Sequence, residues 1–191
     1  LYPQFSVWDY QVKSDKNEPG FIFLRRVSGK GFGLYTHRWL PDGPPVNACR
    51  IEVKTAPVYK PGTAYIISRY SMADKKVSQE TVTSDPEGCL TIRADQNGYE
   101  FGVALQEVSP DLVVGGYQME NQFRYLRTDR ANKLTLTLFS RGPEITGNHK
   151  ARIEVRSRDT SVKVRMENPV IHLFSGERVF QSPVFTLECK K

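Results

Sequence analysis

The chain has 191 residues, 39% of them hydrophobic and 25% charged, with a formal net charge of +6. That is enough apolar material to bury a core, which excludes a disordered chain. No run of about 18 apolar residues is present to cross a bilayer as a helix. The sequence opens at Leu1 with neither Met nor a signal-peptide pattern, so a mature form or a piece of a longer protein is expected.

In chain order, strands are predicted over 4–13, 20–27, 31–39, 48–55, 63–71, 76–83, 89–94 and 98–105. Six more follow near 112–119, 132–140, 150–158, 161–167, 169–174 and 182–189. The signal is a period of two. "GYEFGVAL" sets Tyr99, Phe101, Val103 and Leu105 on one side, and "KLTLTLF" does the same with Leu134, Leu136 and Leu138. "ARIEVRS" alternates Ala151, Ile153 and Val155 with charged residues, and "SVKVRME" places Val162, Val164 and Met166 together.

Turn chemistry punctuates the runs: Glu18-Pro19-Gly20, Pro41-Asp42-Gly43-Pro44-Pro45, Lys60-Pro61-Gly62, Asp85-Pro86-Glu87-Gly88, Asn97-Gly98 and Arg141-Gly142-Pro143. Strands and turns at this spacing predict an all-β protein of two consecutive antiparallel β-sandwich domains of the immunoglobulin or fibronectin kind. The domains are expected at 1–106 and 107–191, where Ser109-Pro110 interrupts the pattern.

Gly29-Lys30-Gly31-Phe32-Gly33 does not fit a phosphate-binding loop. It lacks the Gly-Lys-Ser/Thr that opens a helix, and a turn between "FIFLRRV" and "FGLYTHRW" accounts for it. No serine lies in Gly-x-Ser-x-Gly. His37, His149 and His172 are far apart and lack metal-ligand spacing. "SDKNE" at 14–18 is rich in oxygen but lacks the glycine and terminal glutamate of a calcium loop. Cys49, Cys89 and Cys189 read as free thiols, with a Cys49–Cys89 bridge as the alternative. No catalytic residue, metal or cofactor is expected.

Two surfaces remain. Arg152, Arg156 and Arg158 are expected to share a sheet with Lys163 and Arg165, a patch able to attract an anionic ligand. Residues 140–167 contain no aromatics, which argues against nucleic acid there. Aromatics crowd the first domain, where most must be core. Trp39 directly precedes "LPDGPP". A core position is the first expectation, and a surface position would let it stack on a sugar or cover a partner domain. Tyr35 and Tyr59 are the other aromatics expected as glycan contacts if they are exposed.

"SVWDYQVKSD" (6–15), "PGFIFLRRVSGKGF" (19–32), "HRWLPDG" (37–43), "APVYKPGTAY" (56–65), "DPEGCLTI" (85–92) and "GYEFGV" (98–103) carry a family resemblance. Together they resemble the C-terminal, non-catalytic accessory region of bacterial α/β-hydrolase-fold esterases associated with carbohydrate esters. The resemblance continues weakly into "VSPDLVVGGYQ" (108–118), and beyond about residue 120 only a generic immunoglobulin-like pattern is left. It implies an upstream catalytic domain on the same polypeptide, a secreted or periplasmic location, and polysaccharide as a ligand or substrate of the whole. Arg38 and Trp39 become the candidates for contact with that catalytic domain. A free-standing carbohydrate-binding or adhesion module is the alternative.

Overall fold

A computed structural model describes residues 3–39, 43–105, 111–120, 127, 130–153, 162–165 and 170–189. All regular structure among them is β-strand. The first nine strands are β1 Gln4–Val7, β2 Tyr10–Ser14, β3 Phe21–Ser28, β4 Gly31–His37, β5 Arg50–Lys54, β6 Ala64–Ser71, β7 Val77–Thr83, β8 Thr91–Asp95 and β9 Tyr99–Leu105. The other seven are β10 Asp111–Met119, β11 Asn132–Arg141, β12 His149–Arg152, β13 Val162–Arg165, β14 Val170–Leu173, β15 Val179–Gln181 and β16 Phe185–Cys189. The chain divides into two compact units, Leu1–Asp111 with Arg141–Pro143, and Leu112–Ser140 with Glu144–Lys191.

The first unit holds a four-stranded sheet, β1-β2-β5-β8, and a five-stranded sheet, β3-β4-β9-β6-β7, with antiparallel pairing throughout. One apolar core draws on both. Tyr10, Val12, Ile51, Val53 and Ile92 come from the smaller sheet, and Leu24, Phe32, Leu34, Ile67, Phe101 and Val103 from the larger. Alternation accounts for this, since each strand turns every second residue inward. Phe32 and Phe101 stack with centroids 4.9 Å apart, and Tyr10 meets Phe32 edge-on at 5.6 Å.

In the second unit, β10-β11-β16-β13 form one sheet with β15 also paired to β11, and β12 pairs with β14. Its core gathers Leu138, Ile145, Ile171, Leu173 and Phe180.

Several expectations change. The strand predicted over 4–13 is a hairpin, because Trp8 and Asp9 both take left-handed φ values, 48° and 61°. With Val7 opposite Tyr10 they form a two-residue turn of the primed kind that suits strand twist. β15 was not among the predicted strands; it is three residues long and too short to show a period. Gly29 and Lys30 do form the turn between β3 and β4. Cys49 and Cys89 are buried free thiols.

Arg152 lies on β12, which pairs with β14, whereas Lys163 and Arg165 lie on β13, which pairs with β16 in the other sheet. β12 pairs with the strand carrying Ile171, and β13 with the strand carrying Leu187. Arg156 and Arg158 lie outside the described residues.

Candidate functional site

The outer face of the five-stranded sheet, turned away from the core, carries the most unusual chemistry of the first unit. Register places Phe21 opposite His37, Phe23 opposite Tyr35, and Arg25 opposite Gly33. Ile22 and Leu24 point the other way and pack in the core. The result is a two-strand aromatic ladder. Phe21 and Phe23 stack at 6.4 Å, Phe23 and His37 lie at 5.1 Å, and Phe21 is 47% exposed. The Arg25 guanidinium lies over both Phe23 and Tyr35, 5.3 and 5.1 Å from their centroids, in cation–π geometry.

Strict alternation would send Arg26 into the core. Instead the β3–β4 register shifts between Arg25 and Ser28, and Arg26 takes φ 51°. This bulge turns two consecutive arginines outward, at a backbone cost of about 1–2 kcal/mol. Arg26 then reaches across β4 to form an ion pair with Glu100 on β9.

Glu100 is 3% exposed and accepts hydrogen bonds from Arg26 and from the Tyr35 hydroxyl. Burial pushes its carboxyl above the usual range, and the Tyr35 hydrogen bond and the Arg26 charge oppose that shift. The Tyr35 hydroxyl is raised as well, by burial first and then by the adjacent Glu100 charge, so it stays a donor. Gly33 makes room, because a Cβ there would lie 2.7 Å from Glu100 Oε1 and 2.8 Å from Tyr35 Cε2. Arg26, Glu100 and Tyr35 thus form a closed network that fixes the Tyr35 ring in the ladder.

His37 has a structural role. Its Nδ1–H donates to the Gly43 carbonyl at 2.5 Å, which sets the tautomer because a carbonyl only accepts. Further along the same sheet, Ser68, Gln79 and Gly102 are covered by Arg141–Pro143. Gln79 Nε2 donates to the Gly142 carbonyl at 2.6 Å and to Ser68 Oγ at 2.8 Å. Arg141 NH1 donates to the Val103 carbonyl at 3.3 Å, and NH2 pairs with Asp111 at 2.5 Å. The Arg141 stem can lie on the sheet only because residue 102 is glycine, where a Cβ would come within 2.9 Å of Arg141 Cγ.

The residues singled out from sequence fall in different places. Tyr35 belongs to the ladder. Trp39 is 67% exposed at φ 57°, two residues beyond β4, so the core expectation for it is corrected. It follows the end of β4 at His37, beyond the alternation that carries side chains into the core. Tyr59 is corrected the other way: at 6% exposure it packs edge-on against Tyr65 at 5.1 Å and cannot touch a glycan. Arg38 is held by Glu18 at 3.3 Å.

The oxygen-rich 14–18 loop spends its carboxylates on the chain itself. Asp15 Oδ1 accepts the Arg50 amide at 2.6 Å, and Glu18 Oε2 accepts Asn47 Nδ2 at 2.6 Å. Asp85, Glu87 and Cys89 converge closely enough to suggest a metal. However, Lys54 Nζ already sits 3.0 Å from Asp85 and 2.8 Å from Glu87, so an ammonium answers that charge. Burial also raises the Cys89 thiol, which disfavours the thiolate a metal would need.

Sequence reasoning missed Phe21, Phe23, Arg25, Arg26 and Glu100. The usable signal was Glu100 itself, a charge placed opposite the apolar side of "GYEFGVAL" in a central strand. Comparison of the chain with known protein families, curated proteins and solved structures finds no match. Among the described residues no helix is long and apolar enough to cross a membrane.

Proposed function

We propose that this chain is a non-catalytic accessory region of a carbohydrate-active esterase, built from two immunoglobulin-like β-sandwiches, and that its first unit holds saccharide. One observation carries the reading: the half-open ladder of Phe21, Phe23, Tyr35 and His37, locked from beneath by Arg26 and Glu100. Rigid aromatic surface with a few fixed polar groups beside it is what a binding face needs. The C–H faces of sugar rings suit it. The family resemblance supplies the context, a secreted or periplasmic esterase whose catalytic domain precedes these residues. Exposed Trp39 is the residue offered to that domain.

The chemistry of Glu100 supports binding rather than turnover. Its carboxylate is already engaged by Arg26 and Tyr35 and is 3% exposed, so it is poorly placed to move a substrate proton.

The test is retention on polysaccharide gels, followed by calorimetry. Phe23→Ala and Tyr35→Ala should abolish retention, and Arg152→Ala on β12 should leave it unchanged. Retention that survives both aromatic substitutions would refute the assignment of this face.

A further inference from the structure

The chemical class of saccharide follows from Arg25, on the premise that the ladder is a glycan-binding face. Arg26 is committed to Glu100 and Arg38 to Glu18, whereas Arg25, whose charge also acts on Glu100, forms no close ion pair among the described residues. Its guanidinium is fixed over Phe23 and Tyr35, so little rotamer freedom is left to lose when an anion arrives. A guanidinium held over a ring keeps N–H donors at its edge, and a pair of them matches a carboxylate side-on.

The α-carbons of Arg25 and exposed Phe21, four residues apart on one strand, are separated by about 13 Å. A single sugar cannot meet both, so the ligand is a chain. We infer that the face binds an acidic polysaccharide of the uronate type, with one uronate carboxylate on Arg25 and a neighbouring ring against Phe21. Single-stranded nucleic acid, the other polymer that stacks on aromatic sheets, calls for a row of cations along its phosphates. With Arg26 and Arg38 already paired, the ladder does not offer one.

The experiment compares polygalacturonate and alginate with their carboxyl-esterified forms, which keep the rings and lose the charge. Calorimetry is run on the full 191-residue chain. The acidic forms should bind about tenfold more tightly than the esters, as expected for a charge-assisted hydrogen bond. Arg25→Gln should remove that advantage, so that acid and ester forms bind alike, and Arg25→Lys should restore part of it. Phe21→Ala should weaken both forms. Raising salt from 50 to 200 mM should cost only about threefold, the loss for a single ionic contact.

Equal affinity for acid and ester with no effect of Arg25→Gln overturns the uronate inference while leaving glycan binding intact. Failure of every polymer to bind overturns both. Tight binding of an oligothymidylate probe with a steep salt dependence also overturns both.

Discussion

Over β6, β7 and β9, the outer face of the five-stranded sheet is closed by Arg141 and Gly142, which satisfy Ser68, Gln79 and the Val103 carbonyl. Over β3 and β4 the same face is left to Phe21, Phe23, Tyr35, His37 and Arg25. The covered half uses glycine at 102 so that a side-chain stem can lie flat. The open half uses glycine at 33 so that the Glu100 carboxylate and the Tyr35 ring can meet over it. One half trades surface for stability. The other keeps apolar surface exposed and spends a bulge and a buried charge on making it rigid. Exposed aromatics that are held so firmly are better explained by a partner than by the core.

Substitutions separate the two halves. The largest effect is expected at Glu100→Ala, which leaves the Tyr35 hydroxyl unpaired and opens a void. Loss of about 2–3 kcal/mol in urea unfolding, together with loss of glycan binding, is the expected result. Gly33→Ala should cost about 2 kcal/mol by pressing on Glu100 and Tyr35, and it should weaken binding in proportion.

Arg141→Ala should cost about 1–2 kcal/mol through its lost hydrogen bonds and leave binding untouched, because it acts on the covered half. Phe21→Ala should do the reverse, with stability within about 0.5 kcal/mol of the parent and binding weakened. If Arg141→Ala weakens binding and Phe21→Ala does not, the roles of the two halves are exchanged.

A smaller effect is a pH dependence. The carboxyl of Glu100 is raised in the folded state above its ordinary value of 4.5. The folded protein therefore holds that proton more tightly than the unfolded chain. The stability this contributes is complete below pH 4.5 and is lost as pH rises through the folded value. Relative to Glu100→Gln, the parent should be most stable in acid, and its advantage in Tm should shrink toward neutrality. A flat difference across that range would mean the charge is fully compensated by Arg26.

Much of the frame was legible in the sequence, because alternation and turn residues are local. The edges of β3, β4, β6 and β9 follow from glycines, prolines and period-two runs. What escaped depends on contacts between distant residues. Arg26 and Glu100 are 74 positions apart, and nothing near either reveals the other. The bulge at Arg26 and the hairpin at Trp8-Asp9 use left-handed backbone at residues other than glycine, where composition gives no warning. The period of two shows which residues share a face but not which strands pair. Alternation in 150–158 therefore does not announce that His149–Arg152 pairs with Val170–Leu173. Trp39 and Tyr59 show the same limit for single residues, since aromatic identity says nothing of whether a ring ends in the core or in water.

The most direct test of the account is to map backbone amide chemical shifts while titrating an oligogalacturonate into the labelled protein. The account predicts that perturbations centre on Phe21, Phe23, Arg25, Tyr35 and His37, with Ser68, Gln79 and Gly142 unmoved. Shifts that centre on the covered half or on the second unit, with β3 and β4 silent, would contradict it.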